Sequence, residues 1–272
     1  MASTPTGAIN VANLAYQVPG GRTLFKDVSF TVGHASVTAL VGDNGVGKTT
    51  LLRLLAGDDD VGKPLEGTIR IDGRVGVMRQ LVGMRGQHET ARDLLVSLAE
   101  PRQRDAAVAL HRAEDALAEE PSVANGMRVA RAVTTWGDVG GFDLEIVWDA
   151  AGLAAVHEPF AEVGSRPLTT LSGGEQKRLA LEVLLRGEAD VLLLDEPDNF
   201  LDVRGKNWLA EQLRATTKTV LYVTHDRQLL ADSAKRVLTL EGAGAWTHGE
   251  GFATYHAARQ ARLAKLDDDF RR

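Results

Sequence analysis

Two hydrophobic patterns alternate along the chain. The first is a short unbroken apolar run closed by glycine or carboxylates, as in "SVTALVG" at 36–42, "DVLLLDEP" at 190–197 and "KTVLYVTHD" at 218–226. Runs with no polar face suit strands covered on both sides, as in a parallel sheet. The second is a helical repeat. It appears in "GKTTLLRLLAG", which should stop at Gly57, and again in "GEQKRLALEVLLRG" and "KNWLAEQLRAT". Strand and helix patterns taken in turn predict βαβ units.

The pattern shifts twice. Residues 1–80 read as short strands and turns around one helix, with "TLFKDVSFTV", "GTIRIDG" and "RVGVMRQ" as strands. From about Glu89 to Val163 the chain is rich in Ala, Arg and Glu at helical spacing. "ARDLLVSLAE", "RDAAVALHRAEDALAEE" and "FDLEIVWDAAGLAAV" are the clearest pieces. These shifts divide 1–250 into a core, 1–85 with 164–250, and a helical insert, 86–163. The stretch 251–272 reads as a charged helix.

Composition narrows the picture. With 44% hydrophobic and 25% charged residues among 272, a substantial core is expected. There is no cysteine, which rules out disulfides and thiolate metal sites and suits a reducing cytoplasm. The first residues do not read as a signal peptide, and no apolar run approaches the roughly 20 residues needed to cross a bilayer. A net charge of −6 gives no overall drive toward nucleic acid, so contact with RNA would need a local patch or another part of a longer chain.

The chemistry is concentrated in a few places. "GDNGVGKTT", Gly42 to Thr50, satisfies G-x-x-x-x-G-K-[ST] between a predicted strand and a predicted helix. Gly42, Gly45 and Gly47 let backbone N–H groups turn onto a polyphosphate, with Asn44 between them, and the helix N-terminus adds its positive dipole end. Lys48 can reach the outer phosphates, Thr49 offers a hydroxyl to Mg²⁺, and Thr50 completes the turn. The motif predicts binding of a nucleoside triphosphate. Asp195, ending a buried strand, then fits a Mg²⁺ ligand, and Glu196 a base for the attacking water. On its own "DE" would read as a turn cap.

A family resemblance sharpens this. "GDNGVGKTT", "MRQ", "LSGGEQKRLALEVLL", "LLLDEP" and "VTHD", in that order, resemble an ATP-binding cassette (ABC) domain. The resemblance implies a P-loop α/β fold: a RecA-like parallel-sheet core, an antiparallel β subdomain and a helical subdomain. It implies ATP and Mg²⁺ as ligands, and Ser172, Gly173 and Gly174 as contacts to the γ-phosphate held by another cassette. Gln80 would link the metal site to the helical insert, and His225 would contact the γ-phosphate. Cassettes usually stack an aromatic on adenine, but that position falls here on Val18. Tyr16, two residues earlier on the same strand face, could substitute or could belong to the core.

"DEPDNFLD" and "THDRQLL" further resemble the "DEPTNHLD" and "SHDR-x-FL" patterns of ABC-F proteins, with Asp198 and Phe200 as departures. "GEGFATYHAARQARLAKLDDDFRR" resembles the segment leading from a first cassette into a charged linker. ABC-F membership implies a soluble cytoplasmic protein, two cassettes in one longer chain, and action on the ribosome in translation or antibiotic protection. The energy-coupling subunit of a membrane transporter shares every catalytic motif and is the alternative.

Overall fold

The computed structural model describes residues 7–80 and 89–271. The chain divides into two compact units, Met1–Gln80 with Ala189–Arg272, and Leu81–Glu188. The first unit opens with β1 (Ala8–Gln17), β2 (Thr23–Val32), β3 (Val37–Val41), α1 (Lys48–Leu55), β4 (Glu66–Asp72) and β5 (Val75–Met78). The second holds α2 (Ala91–Leu98), α3 (Pro101–Glu119), α4 (Val123–Asp138), α5 (Gly141–Val156), α6 (Phe160–Val163) and α7 (Gly173–Arg186). The chain returns to the first unit as β6 (Val191–Asp195), α8 (Val203–Ala215), β7 (Thr219–Val223) and α9 (Arg227–Ser233). It finishes with β8 (Arg236–Glu241), β9 (Gly244–His248) and α10 (Phe252–Arg271).

The large sheet runs β5-β6-β7-β3-β8-β9, parallel throughout except for β9, which pairs antiparallel with β8. Every residue of β6 and of β7 is buried, because each strand has neighbours on both sides and both its faces are covered. That environment explains runs with no polar alternation. A second sheet, β2-β1-β4, is antiparallel. Its inward side chains, among them Ile9, Val11, Phe25 and Val28, share one core with α1 and the large sheet. The fold class is therefore the expected one, α/β with a parallel core, an antiparallel sheet and a helical unit.

Along β1 the two-residue period fails. Asn13 adopts φ 50°, and the pairing with β2 shifts register on both sides of Tyr16, so Leu14, Ala15 and Tyr16 are buried in succession. Bulges of this kind re-aim side chains, and an argument from strand alternation does not survive them.

The helical unit is built on aromatics. Trp136 and Trp148 are each 1% exposed, with ring centroids 5.9 Å apart, and Phe160 lies 4.9 Å from Trp148. A Cβ on Gly141 would stand 2.0 Å from the Trp136 ring, so glycine is required where α5 passes it. The unit extends beyond the 86–163 stretch marked by composition. The "LSGGE" helix α7 packs on α5 and α2 and belongs with them. The proposed 85/86 boundary lies outside the described residues.

At the other end, the core of the first unit runs past residue 250. Tyr255 is 2% exposed, shares a hydrogen bond of 3.0 Å with Thr239, and stacks between Trp246 and Phe252. The first turn of α10 is thus rooted on β8 and β9.

Candidate active site

In a parallel sheet all strands end on the same side, and the loops leaving those ends form the crevice where ligands bind. Here β3 ends into Gly42–Thr50, β5 into Arg79 and Gln80, β6 into Glu196, and β7 into Thr224 and His225. Neighbouring strands in the order β5-β6-β7-β3 therefore deliver the motif residues of the first unit to one edge.

The loop at 42–50 is shaped by close approach. A Cβ on Gly42 would lie 2.6 Å from the Leu240 carbonyl, and Gly47 has φ 106° with the Phe25 ring 3.1 Å from where its Cβ would be. Gly47 is the N-cap of α1 and supplies no side-chain cap, so the first N–H groups of that helix have no side-chain acceptor from the cap. Lys48 is 9% exposed, and its Nζ donates to the carbonyls of Gly42 (2.9 Å) and Asp43 (3.2 Å). Burial pulls its ammonium below the usual lysine range, while the carboxylates of Asp43, Asp195 and Glu196 push the other way. Among the described residues the lysine is a largely dehydrated cation bonded to neutral carbonyl oxygens of its own loop, with three carboxylates around it. An incoming phosphate would offer it a full negative charge. Asn44 and Thr49 are exposed on the loop, and Thr50 is half-buried.

Across the crevice, Asp195 is 5% exposed at the end of β6. Glu196 follows at φ 49°, uncommon for a residue with a side chain, and its N–H donates to the Val223 carbonyl (2.9 Å). Its carboxylate gathers three partners. Gln80 Nε2 donates at 2.7 Å, Asn199 Nδ2 donates to the same oxygen, and His225 Nε2 lies 3.7 Å from the other. The structure thus brings Gln80, Glu196 and His225 together. Asn199 went unnoticed in the sequence, although its place three residues after Glu196, in a turn, was the available signal.

Among the described residues no cluster of three or more His, Asp or Glu side chains forms a metal cage. Mg²⁺ commonly takes one or two carboxylates together with phosphate oxygens and water. Asp195, the Thr49 hydroxyl and the Gln80 amide are all oxygen donors, so the residues present fit such an ion.

Tyr16 requires a correction. It is 3% exposed, its hydroxyl donates to the Val61 carbonyl (2.7 Å), and its ring packs 6.0 Å from Phe25. Both its faces lie in the core, so it offers no platform for adenine. The bulges of β1 turned it inward.

Ser172, Gly173 and Gly174 stand in the helical unit. Ser172 caps α7 in a reciprocal box, its hydroxyl accepting from Glu175 N (3.2 Å) while Glu175 Oε2 accepts from Ser172 N (2.7 Å). Gln176, 5% exposed, pins the loop from behind by donating to the carbonyls of Leu168 and Leu171.

A phosphate loop, a strand-end Asp-Glu pair and a Gln and a His on that Glu define a P-loop nucleotide site. The family profile described as "ABC transporter" matches residues 25–199, and the chain belongs to that family of ATP-binding cassettes. It is 48% identical over 95% of its length to an antibiotic resistance protein of Mycobacteroides abscessus, covering 47% of that protein. It is 30% identical over 90% of its length to the energy-dependent translational throttle protein EttA of Mycobacterium tuberculosis, covering 43% of it. It is also 34% identical over 87% of its length to the hemin import ATP-binding protein HmuV of Rhodopseudomonas palustris, covering 80% of it. The chain spans less than half the length of the first two relatives.

Proposed function

We propose that this chain is the ATP-hydrolysing cassette of a longer ABC-F protein that works in the cytoplasm on the ribosome, in translation or in protection against an antibiotic. One observation carries the chemistry: Lys48, Gln80, Asp195, Glu196 and His225 all leave the same ends of adjacent parallel strands. In this reading the amides of 42–50 receive the phosphates, and Lys48 exchanges its loop carbonyls for the outer phosphate oxygens. Thr49, Asp195 and Gln80 would hold Mg²⁺, which when bound neutralises charge on the phosphate oxygens. Glu196 takes the proton of the attacking water, with Gln80, Asn199 and His225 fixing its carboxylate, and His225 contacts the γ-phosphate. Ser172, Gly173 and Gly174 serve the nucleotide of a second cassette, so the isolated chain binds ATP but turns it over slowly.

The ribosomal part rests on "DEPDNFLD", "THDR" and the charged α10, and on two relatives named for antibiotic resistance and for translation. The transporter reading is favoured by one observation, the coverage of most of a hemin-import cassette. No helix among the described residues is long and apolar enough to cross a membrane, which separates neither reading.

The test is Glu196→Gln in the full-length protein. Losing a general base typically costs about 10²–10⁴-fold in rate. Turnover should fall by that factor, nucleotide binding should persist, and the variant should sediment with ribosomes in the presence of ATP. Turnover at the parent rate removes Glu196 as base. Lost turnover without ribosome binding favours the transporter reading.

A further inference from the structure

Asp58 is a hub that the reaction chemistry does not use directly. Its side chain is 8% exposed and receives guanidinium groups from two elements. Arg53, in the last turn of α1, donates Nε at 3.2 Å. Arg79, at the end of β5, donates Nε at 3.2 Å to one oxygen and Nη2 to the other, a two-point fork. Burial by itself would raise the Asp58 carboxyl, but the two arginines outweigh it and hold it below the usual carboxylate range. The turn carrying Asp58 is fixed at its far side by the Tyr16 hydroxyl on the Val61 carbonyl.

The place of Arg79 gives the hub its consequence. Among the described residues β5 is the edge strand of the large sheet, paired with β6 alone, and its end has no strand neighbour on the other side. The next residue, Gln80, must still reach Glu196. The fork on Asp58 supplies the missing restraint one residue before that contact. Because Arg53 ties Asp58 to α1, the restraint is referenced to the helix whose N-terminus forms the phosphate loop. Planar bidentate pairing fixes direction as well as distance, which a lysine would not do.

We propose that the Arg79–Asp58 fork is a positioning element for Gln80 and, through it, for the Glu196 carboxylate, so that it governs turnover and not nucleotide affinity. The proposal rests on the reading of Glu196 as the base. The wild type and Glu196→Gln are therefore assayed alongside: if both hydrolyse ATP equally, that reading fails, independently of Arg79.

The experiment measures ATP turnover and affinity for a non-hydrolysable analogue in the full-length protein carrying Arg79→Ala, Gln80→Ala or both. Misplacing a catalytic group by about 1 Å can cost up to about a hundredfold, so Arg79→Ala should lower kcat about tenfold or more. Affinity should stay within about twofold, because the phosphate loop is untouched. In the Gln80→Ala background Arg79→Ala should cost nothing further, since residues acting through one contact are not additive. Arg79→Lys keeps the charge without the fork. It should fall between, and it gives the reading if the alanine variant does not fold. An unchanged kcat in Arg79→Lys and Arg79→Ala, an equal loss with or without Gln80, or a parallel loss of affinity and kcat would each overturn the proposal.

Discussion

The protein presents backbone N–H groups at the starts of two helices and finishes them in opposite ways. α1 begins from Gly47 in a left-handed conformation with no side-chain cap, and its first turn carries a lysine bent back onto carbonyls. α7 begins from Ser172 inside a closed capping box, so its end is satisfied before any ligand arrives. An uncapped N-terminus leaves donors to water or to an anion. A boxed one spends its hydroxyl and its own N–H on stability and gives the Gly173 and Gly174 amides no acceptor from the box. The first is built to depend on its ligand. The second keeps its shape alone, as the role proposed for it toward a partner's phosphate would require.

The difference is broken most strongly at Lys48. Charge-assisted bonds to phosphate contribute roughly 1.5–3 kcal/mol each, so Lys48→Ala should weaken ATP binding about 10–100-fold by calorimetry with a non-hydrolysable analogue. Unchanged affinity would mean that the open helix end is not the phosphate site. At the other helix, Ser172→Ala removes the cap and should cost about 1 kcal/mol in denaturant unfolding. Ser172→Asp restores an acceptor and should recover that loss. Its charge should nonetheless keep turnover of the full-length protein low, if this loop meets a phosphate. Recovery of both stability and turnover would reduce Ser172 to a cap. The smallest effect concerns Tyr16. Tyr16→Phe loses one hydrogen bond, worth about 0.5–1.5 kcal/mol of stability, and should leave ATP affinity unchanged. A clear drop in affinity would reopen base stacking at that position.

Much of this was legible in the residues. "GKTTLLRLLAG" and "VLLLDEP" announced α1 and β6 because glycine, helical spacing and an unbroken apolar run each have one dominant physical cause. "VTTWGD" within α4 carries β-branched residues and glycine that weaken its helical signal, so that helix was not singled out. The short β8, β9 and α9 passed unread, since a few apolar residues support strand or helix equally. In the site, Lys48 and Glu196 stand in local motifs, whereas Gln80 and His225 are reached only through the family resemblance, because a lone glutamine or histidine carries no signal of its own. The Asp58 hub could not, because it joins residues 53, 58 and 79 through side chains that look like ordinary surface charges in one dimension. Tyr16 misled because strand alternation presumes an unbulged strand.

The rooting of α10 by Tyr255 has a mechanical consequence. A helix of 20 residues is about 30 Å long, and this one is held to the first unit through its first three turns by Tyr255, Phe252, the Arg259–Asp43 pair and the Arg262–Glu241 pair. It is therefore a lever with its fulcrum on β8, the strand beside the one that feeds the phosphate loop. Beyond Arg262 about 13 Å of helix remains, so a tilt of about ten degrees there sweeps the far end through about 2 Å, given the rise per residue of a helix. A displacement too small to notice in the sheet becomes, at the tip, longer than a covalent bond.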